Sequence, residues 1–405
     1  MLDETTNAEV TSDQRVFLPE LLASFECDMC GECCSAWEIP VDRDAYDRAL
    51  AELGEEAAAH LKITDADSHF GYARLELVDG RCAFQDGNLC GIHRDHGDEL
   101  LFPECRKFPR IMFRSPIALH CAASFACRKT LESLAEPDRV RIVHVTTESV
   151  AFPPDLCDTY VEGPPCLCRG RAMTWPALFA LEHGLLEIAR DRQRALEQRL
   201  LAMIELARDL EREDETPLGK ATVDRELLAA RVDGFAEVSN RFLLAGTDVE
   251  AQIEFVLSMI GRRLEAGLRC GWALAPLDAA FSRWHGLTQG LRRERFLDDF
   301  RRLYMPAGDD VLSILENYMT CRISGNPDFA LLDVQAGLAA VAALLTLARA
   351  VAVALAATAN SPVTQRIMLD SIRAVDTAFF HLPDFAEIVK KRGADTAALL
   401  IVTPA

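Results

Sequence analysis

Residues 25–42 read FECDMCGECCSAWEIPVD, and Cys27, Cys30, Cys33 and Cys34 fall within eight of those positions. The first three are spaced C-x2-C-x2-C. Such a loop lets successive thiolates turn back on one cation or one iron-sulfur cluster while backbone amides point at the sulfurs. Cys33 and Cys34 are neighbours, and neighbouring side chains in an extended stretch point to opposite sides. On that geometry one of the pair is expected to ligate while the other packs or serves a second metal. A disulfide between neighbours would be strained.

Working outward, the segment RCAFQDGNLCGIHRDHGDELLFPECRKFPR at 81–110 adds Cys82, Cys90 and Cys105, and Cys121 and Cys127 follow. These are more thiols than one tetrahedral site needs. The candidate metal ligands are Cys27, Cys30, Cys33, Cys34, Cys82, Cys90, Cys105 and Cys121. Thiolate ligation suits both iron-sulfur and zinc, and spacing does not separate them. A [4Fe-4S] cluster is the expected cofactor, with zinc as the alternative. His93 and His96 read as ordinary histidines beside the thiols rather than ligands. Arg106 and Arg110 flank Cys105, where a guanidinium either offsets the negative charge of a cluster or simply faces water. Cys270 and Cys321 stand alone in helical text and read as small buried hydrophobes.

Composition bounds the rest. The chain has 405 residues, half of them apolar, and a formal net charge of -20. A globular protein follows, and a basic face for nucleic acid does not. The acidic surplus suits a cationic ligand such as a lysine side chain or a sulfonium. MLDETTNAEVTSDQ at the N-terminus lacks a basic and an apolar stretch of the secretory kind, so a cytoplasmic location and reduced thiols are expected. AGLAAVAALLTLARAVAVALAATA at 336–359 is long enough to span a bilayer, but Arg349 sits in its middle and Ala dominates it. A buried helix, with no membrane partner, is the expectation.

Organisation is uneven. Twelve of the fourteen cysteines lie between Cys27 and Cys168. The reading is a mainly α protein with four parts: a polar tail at 1–18, an irregular cysteine-cluster domain at 19–135, a connector with short strands at 136–172, and a bundle-like helical domain at 173–405. RVRIVHVTTESVAF at 139–152 is β-like, and the Pro-rich text after it reads as a connector or edge hairpin. Thr174 is placed to cap a helix with Pro176 in its first turn. Leu196, Leu200, Met203, Ala207 and Leu210 recur at spacings of four and three, which is one face of a helix. Helical periodicity returns in AQIEFVLSMIGRRLEAGL, VLSILENYM and IMLDSIRAVDTAFF, with polar gaps such as REDETPLGKAT between helices.

CDMCGECC, CAFQDGNLCGI and ECRKFPR together resemble the CxxCxxCC cysteine-cluster domain, a zinc- or iron-chelating family. With Trp37, Ile39, Asp42 and Tyr46 after the cluster, and Pro109 and Arg110 after Cys105, the longer run is similar to one branch of it, the flagellin lysine-N-methylases. LHCAASFACRKTL, TWPALFALEHGLLEIARDRQRALEQRLL and LENYM extend the likeness toward the C-terminus, more weakly. The compact C-x2-C-x2-C-C spacing is nearer the general chelating domain than that branch. The resemblance implies an iron-sulfur-dependent protein-lysine N-methyltransferase that uses S-adenosylmethionine on flagellin or a similar protein. A non-enzymatic metal staple and an electron-transfer protein are the alternatives. No Gly-rich turn after a strand marks a Rossmann-like cofactor site, and no C-x3-C-x2-C triplet of the radical type is present. Asp42, Tyr46 and Glu316 are residue types able to take a lysine proton, and each is equally suited to a cap, a core phenol or a solvated charge.

Overall fold

The sequence ALHCAA at 118–123 is buried at every position, as a strand covered on both faces must be. In the computed structural model it lies inside a four-stranded sheet. The spatial order is Ile142–Thr146, Arg15–Pro19, Ala118–Ala123, Arg110–Ser115. Arg15–Pro19 runs parallel to Ala118–Ala123, with Val16 opposite Leu119, and antiparallel to Ile142–Thr146, with Phe17 opposite His144. The outer hairpin pairs Cys121 with Met112, and Ser115 Oγ accepts from the turn amides of Ile117 and Ala118. The structure describes residues 15–391 except 36, 65–70, 137–139, 151, 153, 158, 169–170, 213–218, 220–248, 268–269, 306 and 383–384. The N-terminal stretch at 1–14 and most of the polar gap at 212–222 therefore lie outside the described residues.

Helices pack against this sheet in the main core. Thr174 caps Trp175–Arg190 as its sequence suggests, its Oγ1 accepting from Ala177 N–H at 3.2 Å. Leu196, Leu200, Met203, Ala207 and Leu210 are all buried along Leu196–Glu211. Val249–Glu265, Gly271–Trp284, Gln289–Asp299, Asp309–Ile323 and Gln365–Val375 complete the array around a central helix, Val334–Ala359. That helix is long and apolar enough to cross a membrane, yet it is enclosed by the protein. Its one charge, Arg349, pairs with Glu197 at 2.7 Å and lies over the Tyr304 ring. A buried guanidinium needs such a partner, and Glu197 supplies it from the neighbouring helix.

The junction between sheet and helices is a buried polar knot. Asp376 accepts from Phe125 N–H at 2.8 Å and from Tyr318 OH at 3.1 Å, and it pairs with Arg322 at 2.9 Å. Arg322 also donates to Ala123 O at 2.6 Å and lies 3.5 Å from the Phe380 ring centroid. Asp376 opens a π-helical turn, Asp376–Phe380, that follows Gln365–Val375. Nearby, burial pushes the Glu182 carboxyl up to about 7, although Gly325 N–H donates to it at 2.8 Å. The folded chain thus holds that proton above the ordinary value of 4.5. The stabilising share is complete below about pH 4.5 and disappears as pH rises through about 7. Glu182→Gln is expected to flatten the fall in unfolding free energy across this window, read by urea titration at several pH values. An unchanged slope contradicts the assignment.

The cysteine-rich part is not irregular. It holds a three-stranded sheet, order Ile39–Val41, Ala73–Leu75, Leu61–Ile63, and the helix Arg43–Ala58, broken at Gly54. Two small hairpins follow, Leu77–Val78 with Arg81–Cys82 and Gln85–Asp86 with Leu89–Cys90. Val41, Ala45, Leu61, Leu75, Ile92 and Phe102 form most of its own small core. The unit expected at 19–135 is divided in the structure. Val16, Leu18, Met112, Phe113, Leu119 and Leu134 belong to the main helical core, because strands 15–19 and 110–123 find their partners there. Residues 15–18, read as tail, are part of the central sheet for the same reason. Cys166–Cys168 pairs with Arg171–Ala172 as a short antiparallel hairpin.

Candidate metal centre

The loop that carries the first four thiols is shaped by its backbone. Met29 and Gly31 both adopt positive φ, at 52° and 72°, which folds the segment back on itself. Met29 N–H points at Cys27 Sγ at 3.3 Å, an amide-to-sulfur contact of the kind that steadies a thiolate. Cys34 N–H then donates to Gly31 O, and Cys33–Ser35 closes as a 3-10 turn. Gln85 donates to Gly31 O at 3.1 Å, so the loop rests against the second hairpin. A side chain at Gly31 would put its Cβ 2.8 Å from Asn88 O, and glycine permits the approach.

The opposing wall comes from the hairpins and a short helix. Cys82 ends the first hairpin and Cys90 the second, which Gly91 N–H ties to Phe84 O at 2.8 Å, and Cys105 lies in Pro103–Lys107. All three pack against the small core. Loop and wall enclose a cavity of about 1090 Å³. Cys27, Cys30, Cys33 and Cys34 line it from one side, Cys82, Cys90 and Cys105 from the other. Cys127, just before the helix Arg128–Glu132, is the eighth thiol on its surface.

These thiols feel one another. Cys34 donates to Cys33 and holds it below the ordinary thiol range, while Cys34 itself is raised because its proton is the one kept. Burial pushes Cys82 up to about 11, and negative charge on Cys90 and Cys33 adds to the rise. Cys105 is pushed well above 9.0, by burial first and then by Cys82, Cys33 and Cys90. Burial also pushes Cys127 up to about 11, with Cys33 among the charges that add to it. Several thiolates cannot form together in this cavity unaided. A cation reverses that balance, so deprotonation and metal binding are coupled here. The donor set thus fits a thiolate-bound metal or cluster. Among the described residues no three Cys, His, Asp or Glu side chains already stand at coordination distance. Closing on an ion therefore requires these donors to draw together.

The structure sorts the remaining candidates. Cys33 and Cys34 face the same cavity, contrary to the extended-chain expectation, because a 3-10 turn does not alternate its side chains. Cys121 lies elsewhere: it is fully buried in the central strand, behind Arg110, and does not line the cavity. Cys127 takes its place, and C-x5-C after Cys121 was the visible signal. Cys270 and Cys321 are buried hydrophobes as expected. All fourteen cysteines are free. His93 lines the cavity, whereas His96 is exposed. Asp42 caps a helix through Ala45 N–H at 2.7 Å, Tyr46 packs on Tyr72, and Glu316 pairs with Arg192 and Arg199. None of these three borders the cavity.

The helical half supplies the rest of the wall. Trp37 packs on His381 with ring centroids 4.9 Å apart, and Ser124 Oγ lies 2.7 Å from His381 Nε2. Burial, reinforced by the charge of Arg322, pushes His381 down to about 3, so its ring is neutral at physiological pH. Arg373 ties the thiol loop to the helices through Glu32 at 2.5 Å, and Arg128 bridges Asp28 and Glu32 at 3.3 Å each. Arg106, Arg110 and Arg263 also border the cavity.

A family comparison bears directly on this geometry. Residues 26–128 match the model of the CxxCxxCC family, described as "Putative zinc- or iron-chelating domain". The CxxCxxCC match takes in all eight cavity thiols, from Cys27 to Cys127. It stops short of Arg263 and His381, which lie far beyond it in the chain. Searches of curated proteins and of solved structures find no match.

Proposed function

We propose that the cavity between the cysteine loop and the hairpins holds a thiolate-ligated metal centre, an iron-sulfur cluster with zinc as the alternative. Cys33, Cys34, Cys82 and Cys105 are the ligands best placed, with Cys90 beside them. The observation that carries the reading is that eight thiols, spread over a hundred residues, share one cavity. Four sulfurs about 2.3 Å from an ion fill little of about 1090 Å³, and the whole is the size of an organic ligand site. The centre is therefore read as part of an active site rather than a staple alone.

The finer reading is an iron-sulfur-dependent protein-lysine N-methyltransferase acting on flagellin or a similar protein with S-adenosylmethionine. It is supported by the likeness to flagellin lysine-N-methylases and by a cavity whose Phe25, Trp37, Glu26 and Asp98 suit a cationic guest. S-adenosylmethionine would supply the methyl group. A lysine amine, with an ordinary pKa of about 10.4, must lose its proton before it attacks. His381 is the neutral imidazole on this wall, steadied at Nε2 by Ser124, with Nδ1 as its other nitrogen. The experiment is anaerobic purification followed by elemental analysis, absorption spectroscopy and calorimetric titration with S-adenosylmethionine. Brown, iron-bearing protein that binds the methyl donor is expected. Iron without such binding contradicts the methyltransferase reading, and protein with neither iron nor zinc contradicts the centre.

A structural contribution follows from the same arrangement. The small core is too modest to hold the cysteine-rich part by itself, so bound metal is expected to stabilise it. Chelation should lower the melting temperature by about 5 °C or more, the scale of 1 to 2 kcal/mol in a domain of that size. An unchanged melting curve after verified metal loss contradicts this role.

A further inference from the structure

The cavity that holds the thiols also holds cations, and two of them are neutralised by carboxylates of the protein. Lys107 pairs with Glu104 at 2.6 Å, and Arg128 with Asp28 and Glu32. Arg110 donates to Phe25 O at 3.2 Å, lies over the Phe152 ring, and faces the sulfurs of Cys121 and Cys127. Arg106 and Arg263 each keep a buried Nε without a hydrogen-bond partner. Arg106 directly follows Cys105 and so stands with the thiols, whereas Arg263 comes from the helix Val249–Glu265. The Arg263 Nε is buried in the cavity wall with no hydrogen-bond partner, and no ion pair to it is seen among the described residues. Burial lowers its pKa. Its place in the last turn of Val249–Glu265 accounts for a basic residue there, but not for a half-buried guanidinium turned to a cavity without a counterion.

We propose that Arg263 is the anchor for the anionic end of the organic ligand, a carboxylate, whose other end reaches the thiol-bound centre. A guanidinium is suited to a carboxylate because it offers two parallel N–H donors in a plane. Arg110 is the cation suited to offset charge on sulfur, since it faces Cys121 and Cys127. In a chain of net charge -20, a cavity cation without a carboxylate partner is suited to receive a ligand's negative charge. The assignment rests on the methyltransferase reading, which gives the ligand an amino-acid carboxylate at one end and a sulfonium at the other.

The test is calorimetry on metal-loaded full-length protein with S-adenosylmethionine and with its decarboxylated form, in wild type and in Arg263→Gln. Wild type is expected to prefer the carboxylated ligand by about tenfold or more, the scale of one charge-assisted pair. Arg263→Gln is expected to lose that preference while binding the decarboxylated form as wild type does. Arg263→Lys should retain part of it. A preference that survives in Arg263→Gln overturns the anchor and leaves the methyl-donor reading standing. Binding of neither ligand to iron-loaded wild type overturns the methyl-donor reading and the anchor with it. Circular dichroism of the variants separates either result from misfolding.

Discussion

Serine in place of Cys33, Cys82 or Cys105 is expected to strip the protein of its metal, from about one centre per chain to about a tenth of that on anaerobic purification. The three sulfurs stand on different segments, the cysteine loop, a hairpin and a short helix, yet Cys33 raises the pKa of both others and Cys82 that of Cys105. Removing any one takes a donor from a set that must close around a cation. Serine at Cys121, Cys270 or Cys321 is expected to leave the metal content at the wild-type level, because all three are buried away from the cavity. Elemental analysis by mass spectrometry reads both classes. Equal loss in both would mean that the variants fail by folding, and equal retention would mean that the cavity thiols are not ligands.

Asp376→Ala is expected to destabilise the protein by about 3–5 kcal/mol, the cost of leaving a buried guanidinium unpaired. Arg322 is 1% exposed and Asp376 is 0% exposed, so water cannot replace the lost carboxylate. The same carboxylate satisfies Phe125 N–H and Tyr318 OH. Combining Asp376→Leu with Arg322→Met is expected to recover much of the loss, since it removes both charges together. Denaturant midpoints with unchanged slopes decide the matter. A loss below about 1 kcal/mol in the single variant contradicts a buried, closed knot. The knot stands beside His381 in sequence and sheet-to-helix position, so the double variant also asks whether the metal cavity survives when the junction is rebuilt without charge.

The helical half was the more legible part of the sequence, because its signals are local. Thr174 and the stripe from Leu196 to Leu210 needed only near neighbours in the chain to be read. The central helix was legible too: Arg349 in the middle of 336–359 argued for burial, and Glu197 is the partner that burial required. The four-stranded sheet was hidden because its pairings are long-range. Val16 meets Leu119 a hundred residues on, and nothing near Val16 announces that contact. The same limit applied to Asp42, Tyr46 and Glu316, whose chemistry suited catalysis but whose neighbours make them a cap, a core ring and an ion-pair member.

The site was legible as a collection and not as an arrangement. Density of cysteine pointed to Cys27–Cys34, and the further thiols of the 81–110 segment pointed to Cys82 and Cys90. Whether Cys121 or Cys127 joined them depended on strand phase and register: Cys121 turns into the core of the sheet, while Cys127 comes after the strand has ended. Arg263 and His381 gave no signal at all. One is a basic residue near a helix end and the other a lone histidine, and only folding brings them to the thiols.

X-ray absorption at the metal edge, on protein purified without oxygen, tests the central claim most directly. A sulfur shell near about 2.3 Å, lost when Cys33 and Cys105 are both serine, is the expected result. A shell made of nitrogen and oxygen alone, or one unchanged in that double variant, would contradict a centre built by these thiols.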